Sequence, residues 1–162
     1  MSIEDLDSVA LEMVAPGKGI IAVDESTGTI TKRLTAVGLE STPEIRRAYR
    51  EMLVTTPGLK EHISGAILYD ETIRETTSTG EPFPAVMRKA GIIPGIKVDK
   101  GPKPLAGFPG DVVTEGLDGL RERLQEYVKL GAQFAKWRAV IEISEDTPSS
   151  TAIEANCHAL AR

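Results

Sequence analysis

Five charged residues are spaced so that they could do chemistry: Asp24, Lys97, Asp99, Lys136 and Arg138. Each lies late in a short apolar run that reads as a strand. Strand side chains alternate, so Lys97 shares a face with Asp99, and Lys136 with Arg138. An unpaired charge is costly to bury, so such residues must pair or meet a ligand. Internal pairing of Asp24 and Asp99 with Lys97, Lys136 and Arg138 is one account, and it leaves the bases in excess. That excess, in an acidic chain, suits a small anionic ligand such as a phosphate or carboxylate. An amine held among other cations is freed to attack a carbonyl, and Lys136 beside Arg138 has that setting. The residues alone point to a carbonyl compound bearing an anionic group, handled by Lys and Asp without metal.

Other chemistries fit less well. His62 and His158 have no ligand partner at metal spacing. Cys157 and His158 are adjacent in a helical stretch and do not face each other. Gly17-Lys18-Gly19 precedes its strand, the wrong edge for a phosphate loop, and no Walker pattern occurs. Lys32-Arg33 and Arg46-Arg47 read, taken alone, as solvated helix faces.

The elements that must position these residues come from a chain of 162 residues, 41% hydrophobic and 27% charged, the balance of a soluble globular domain. The net charge of −5 argues against nucleic-acid binding, which wants a basic face. No run approaches the roughly 18 apolar residues of a membrane span. The start, Met1-Ser2-Ile3-Glu4-Asp5, lacks the pattern of a secretion signal. One cysteine rules out an internal disulfide framework and fits a reducing, cytoplasmic setting.

Apolar runs alternate with segments of helical period. Ser2 is placed to cap a helix through Ile3, Leu6, Val9, Ala10 and Met13, ended by Ala15-Pro16-Gly17. Strands are expected at 19–24, 65–70, 92–99 (with Pro94 weakening the early part) and 133–143. Helices are expected from after Gly28 to near Gly38, and from Thr42-Pro43-Glu44 with a buried stripe of Ile45, Ala48, Tyr49, Met52 and Leu53. Others are expected at 83–89 before Gly91, through Leu117, Leu120, Leu124, Tyr127 and Val128 to Gly131, and after Pro148. Residues 100–114 read as a Gly- and Pro-rich excursion. Four strand–helix units in series imply parallel strands covered by helices, in an open doubly wound sheet or part of a (β/α)₈ barrel. In either, ligands bind where strands end, which is where the five charges lie.

Longer blocks of residues then match something familiar. Val14-Ala15-Pro16-Gly17-Lys18-Gly19-Ile20-Ile21-Ala22-Val23-Asp24-Glu25-Ser26-Thr27-Gly28, with Lys32-Arg33-Leu34, closely resembles the opening of class I fructose-bisphosphate aldolase. So do Gly95-Ile96-Lys97-Val98-Asp99-Lys100-Gly101, Pro104-Leu105-Ala106-Gly107, Glu115-Gly116-Leu117-Asp118-Gly119-Leu120 and Phe134-Ala135-Lys136-Trp137-Arg138. They stand in the family's order, from about residue 10 to Arg162.

The resemblance implies the N-terminal half of a (β/α)₈ TIM barrel across residues 1–162, with no second domain. It implies cleavage of fructose 1,6-bisphosphate to dihydroxyacetone phosphate and glyceraldehyde 3-phosphate in glycolysis, through a lysine Schiff base, without metal or other cofactor. Asp24 would assist proton transfer at the substrate hydroxyl and carbinolamine, and Lys136 would support the intermediates electrostatically. Ser26, Thr29, Lys97 and Arg138 would line the substrate site, with Arg33 and Arg46 as looser phosphate contacts. The Schiff-base lysine and the paired acid–base glutamates belong to the family's other half, so Lys136 is not the nucleophile. The chain is therefore expected to be part of a longer one and, alone, inactive. Its expected partners are a sugar-phosphate substrate and, at full length, further copies of itself; neither nucleic acid nor a membrane is expected. A non-catalytic half-barrel that binds sugar phosphates or pairs with another chain is the alternative. A third reading, an open-sheet domain with unrelated carbonyl chemistry, would be favoured by a first strand at the centre of the sheet rather than at an edge.

Overall fold

The computed structural model describes residues 3–162; the expected cap at Ser2 lies outside them. In chain order the elements are α1 (Ile3–Met13), β1 (Gly19–Ala22), α2 (Thr27–Ala36), α3 (Pro43–Val54), α4 (Leu59–His62), β2 (Ile63–Leu68) and α5 (Asp70–Arg74). Then follow α6 (Phe83–Lys89), β3 (Ile93–Lys97), β4 (Pro102–Pro104), β5 (Val112–Thr114), α7 (Leu120–Leu130), β6 (Phe134–Lys136) and α8 (Ser150–Ala161).

Contacts divide the chain into two compact units. The first holds residues 1–97 and 126–135. Its centre is a parallel sheet in the order β1-β2-β3-β6. Gly65 of β2 pairs with Ile93 of β3, and Ile67 with Gly95; on the other side Ile21 of β1 pairs with Ala66. The middle strand β2 is buried from Ser64 to Leu68, as a parallel strand covered on both faces must be. Phe83, Ile30, Leu68, Ile73, Met87, Ile92 and Ile96 are among the large, fully buried side chains of its core. Thr42 caps α3 by accepting from the Ile45 N–H, with Pro43 at the first helical position. Gly91 takes φ +70°, the left-handed conformation that lets the chain leave α6 and enter β3.

Pro94 lies inside β3, opposite Ala66. A proline lacks the N–H that a ladder uses. In a parallel ladder a residue's N–H and C=O face the same neighbour. Here the Pro94 carbonyl accepts from Gln133 N–H at 2.8 Å, just before β6 begins. The missing donor thus points at a stretch that is not yet strand, and the sheet tolerates it.

The second unit holds residues 98–125 and 136–162. Its hairpin, β4 antiparallel to β5, packs on α8. This pairing lies in the excursion at 100–114, which showed no alternation to betray it. Ser149 caps α8 by accepting from the Ala152 N–H at 3.1 Å.

Two expectations are corrected. The fourth strand, expected over 133–143, ends at Lys136, and residues 137–149 form no strand or helix. The backbone there bonds to a threonine side chain of the hairpin instead of a neighbouring strand. The face-sharing rule therefore covers neither Lys136 with Arg138 nor Lys97 with Asp99, since β3 ends at Lys97. In α3 the buried residues are Arg50 and Val54, whereas Ala48 and Met52 are exposed. The helix is rotated to bury a charge.

Candidate functional site

Three of the singled-out residues stand at or just past the C-terminal end of a parallel strand. Asp24 lies two residues beyond β1, Lys97 closes β3 and Lys136 closes β6.

In the first unit, β1 delivers Asp24 almost buried, at 8% exposure. The next residue, Glu25, is the hub of an ion-pair cluster. Its carboxylate receives Arg33 of α2 on one oxygen and Arg50 of α3 on the other. Arg50 also donates to the Glu25 backbone carbonyl at 2.8 Å, so it grips the loop as well as the side chain. Arg50 is 3% exposed, and burial pulls its guanidinium below the usual arginine range, opposed by the charges of Asp24, Glu71 and Glu75. Ser26 precedes α2 as its N-cap, and its hydroxyl lies 3.1 Å from that of Thr29. These two hydroxyls and the first helical turn are the means by which a helix start holds an anion.

Arg46 is engaged elsewhere. It meets the carboxylate of Glu71 through Nε at 2.9 Å and through Nη2, and donates to the Ser41 carbonyl at 2.7 Å. The hydrogen bond to Glu71 holds its pKa above the ordinary arginine value. Glu75, beside this cluster, is pushed above the ordinary glutamate range by burial and then by Glu71.

In the second unit, Asp99 closes a tight turn, its Oδ1 accepting from Gly101 N–H at 3.1 Å. Lys136 is half-buried and Arg138 exposed, on the segment that leaves β6. Among the described residues, no three His, Cys, Asp or Glu side chains gather in a group that could hold a metal ion.

The unit-by-unit geometry therefore assembles Asp24, Ser26, Thr29 and Arg33 around one loop and helix start, and sets Arg46 on Glu71. Glu25 and Arg50 escaped the sequence reading. Glu25 stands inside the opening block quoted above, and Arg50 lies on α3 four residues after Arg46, where nothing in the spacing marks it as buried. The one available signal was the adjacency of two acids at a strand end, which needs a cation nearby.

Asp24, Lys97 and Lys136 each stand at the strand end where α/β folds, open or closed, bind ligands. The family profile "Fructose-bisphosphate aldolase class-I" matches residues 5–162. A probable class 1 fructose-bisphosphate aldolase of Xanthomonas campestris is 69% identical over all 162 residues, which are 48% of its own length. The muscle-type enzyme of the lamprey Lethenteron camtschaticum is 53% identical over 98% of this chain and 44% of its own. A cytosolic aldolase of Arabidopsis thaliana is 53% identical over 91% of the chain and 37% of its own length. Among solved structures, the Plasmodium falciparum aldolase, in complex with TRAP and a small-molecule inhibitor, superposes with a TM-score of 0.94 at 45% identity, over 98% of this chain and 46% of that one.

The chain belongs to the class I fructose-bisphosphate aldolase family, lyases that act on sugar phosphates. It spans about half the length of the curated relatives it matches. The expected fold, four parallel strands with covering helices from a (β/α)₈ barrel, is borne out. The first strand stands at the edge of the sheet, not its centre, so the arrangement that would have favoured the open-sheet reading is absent. No helix among the described residues is long and apolar enough to cross a membrane.

Proposed function

We propose that these residues are the N-terminal half of a glycolytic, cytoplasmic enzyme that cleaves fructose 1,6-bisphosphate reversibly to dihydroxyacetone phosphate and glyceraldehyde 3-phosphate. The observation that carries this reading is 69% identity to an aldolase across the whole chain, with Asp24, Lys97 and Lys136 each standing at a strand's C-terminal end. Residues 1–162 are one stretch of a single barrel, with no second domain, in a protein that works as a homo-oligomer.

In that enzyme a lysine outside these residues forms the Schiff base with the substrate ketone, and no metal takes part. Cleavage breaks the bond between C3 and C4 as a proton leaves the C4 hydroxyl. Asp24, almost buried and next to the Arg50–Glu25 pair, is suited to moving protons there and at the carbinolamine. The ammonium of Lys136 stabilises negative charge as it develops on the intermediates. Ser26, Thr29, Lys97 and Arg138 hold the substrate, and Arg33 takes a phosphate by exchanging its partner Glu25 for it. Arg46 reaches a phosphate only by giving up Glu71, so its contribution is the smaller.

Borohydride trapping with dihydroxyacetone phosphate tests the reading. The complete product of the gene that encodes these residues is expected to become labelled on a lysine beyond Arg162. Residues 1–162 expressed alone should neither be labelled nor cleave substrate. Substrate-dependent labelling of Lys97 or Lys136 in the short chain would overturn the assignment.

A further inference from the structure

Arg138 lies two residues past the end of β6, where strand pairing has stopped. A long guanidinium side chain binds a substrate well only if its own backbone is held, since about 1 Å of misplacement can cost a hundredfold in rate. Something other than a ladder must hold residues 138–140, and the second unit supplies it.

Thr114, the last residue of β5, is 2% exposed. Its hydroxyl donates to the Arg138 carbonyl at 2.9 Å and accepts from the Val140 N–H at 3.2 Å. One side chain thus bonds the carbonyl before Ala139 and the N–H after it, the pair of bonds that a residue in a neighbouring parallel strand would make. Thr114 is itself set in the same manner. The amide of Asn156, 1% exposed in α8, donates to the Val112 carbonyl at 3.0 Å and accepts from the Thr114 N–H at 3.1 Å. Its second amide hydrogen goes to the Ala152 carbonyl at 2.9 Å, so the amide is fully used. Asp111, at the other end of β5, accepts from the Ser149 N–H at 3.1 Å and ties the hairpin to the start of α8. Two side chains in series therefore extend ladder-like pairing from a helix, through β5, to a segment with no strand neighbour.

We propose that Thr114, set by Asn156, is the positioning residue that fixes Arg138 for the substrate. This rests on the assignment of Arg138 to substrate binding given above. The hairpin then serves the site without touching the substrate, and the Gly- and Pro-rich excursion acquires a role.

The test uses the complete gene product and steady-state kinetics with fructose 1,6-bisphosphate. Thr114→Val keeps the volume and removes the hydroxyl; Thr114→Ala removes it and leaves room for relaxation; Thr114→Ser keeps it. Arg138→Ala is the reference. Val and Ala at 114 are expected to raise KM about tenfold with kcat within about twofold, as loss of uniform binding does, while Ser stays near wild type. A merely structural threonine would lower the amount of active enzyme, and so kcat, with KM unmoved. If Arg138→Ala raises KM and neither hydroxyl-free variant does, the inference is overturned and the role of Arg138 stands. If Arg138→Ala leaves KM unchanged, the role of Arg138 fails and takes the inference with it.

Discussion

The ring of Phe134 in β6 fills the space where Gly95 of β3 would carry a side chain: a Cβ there would stand 2.3 Å from the ring. The same ring lies 3.2 Å from a Cβ built at Gly65 of β2. Two glycines in adjacent strands thus make a seat for one aromatic residue, and the seat locks β6 onto the sheet. Side chains alternate along a strand, so Phe134 fixes the face on which Lys136 leaves β6.

Gly95→Ala puts a methyl group into the ring with nowhere to go, because β3 is buried at that point. Overpacking of this kind costs about 1–3 kcal/mol, and the upper end applies here because three ring atoms lie within 2.6 Å of the added carbon. Gly65→Ala is the milder change, since a shift of a few tenths of an ångström relieves it. Urea denaturation of the two variants, with unchanged m-values, is the measurement; equal destabilisation would show that the ring yields freely.

Arg50 is a buried cation whose partner, the Glu25 carboxylate, is itself 8% exposed. Removing Arg50 leaves the buried Glu25 carboxylate with Arg33 alone, at a cost below the roughly 3–5 kcal/mol of a wholly stranded partner. Arg50→Met keeps the length and apolar stem and loses the charge, and is expected to destabilise by about 1–3 kcal/mol in chemical denaturation, because Arg33 still meets Glu25. The double variant Arg50→Met with Glu25→Gln should recover part of the loss, because no buried charge is left alone. A double-mutant cycle reads the coupling directly.

The sheet was legible because parallel strands covered on both faces are short apolar runs bounded by glycines, and 65–68 and 93–97 are such runs. The helix at 83–89 was legible to the residue, since Gly91 marks its exit. The hairpin was not. Lys103 and Val113 pair across it, but its three-residue strands, two prolines among them, carry no alternation. Nor was the early end of β6, because Ala139, Val140 and Ile141 are apolar enough to read as strand while the Val140 N–H bonds the Thr114 hydroxyl and not a neighbouring strand. Asp24 could be named from a charge closing an apolar strand. Arg50 could not, because its burial depends on Glu25, 25 residues away, and no spacing rule joins them.

Glu75 gives a pH signature. Burial and Glu71 hold its folded pKa above the ordinary value, so the folded state binds its proton more tightly than the unfolded chain does. The stability this contributes is present below the unfolded pKa and is lost as pH rises through the folded one. Glu75→Gln removes the titration. The variant should therefore gain on wild type as pH rises from the ordinary glutamate range through the raised folded pKa, with the difference flat outside that window. Thermal melts of both proteins across the range check the sign; a gap that narrows with rising pH would mean that Arg46, Arg47 and Arg50 outweigh burial.

Asp24 is the residue on which the proposed chemistry leans hardest within this chain. As a proton-transfer group it should contribute about 10²–10⁴-fold to kcat in the complete gene product. Asp24→Asn keeps the shape and removes both the charge and the basic oxygen, so kcat is expected to fall by that factor with KM changed far less. The same substitution removes a charge that acts on Arg50, and its effect on stability must be separated from its effect on rate. Active-site titration by borohydride trapping does this, because it counts enzyme that still forms the covalent intermediate. Asp24→Asn protein that traps dihydroxyacetone phosphate to the normal final extent, but forms the adduct and turns over slowly, places the defect in proton transfer. Protein whose final extent of trapping falls in proportion to its lost activity would instead make Asp24 a structural partner of the Arg50–Glu25 cluster.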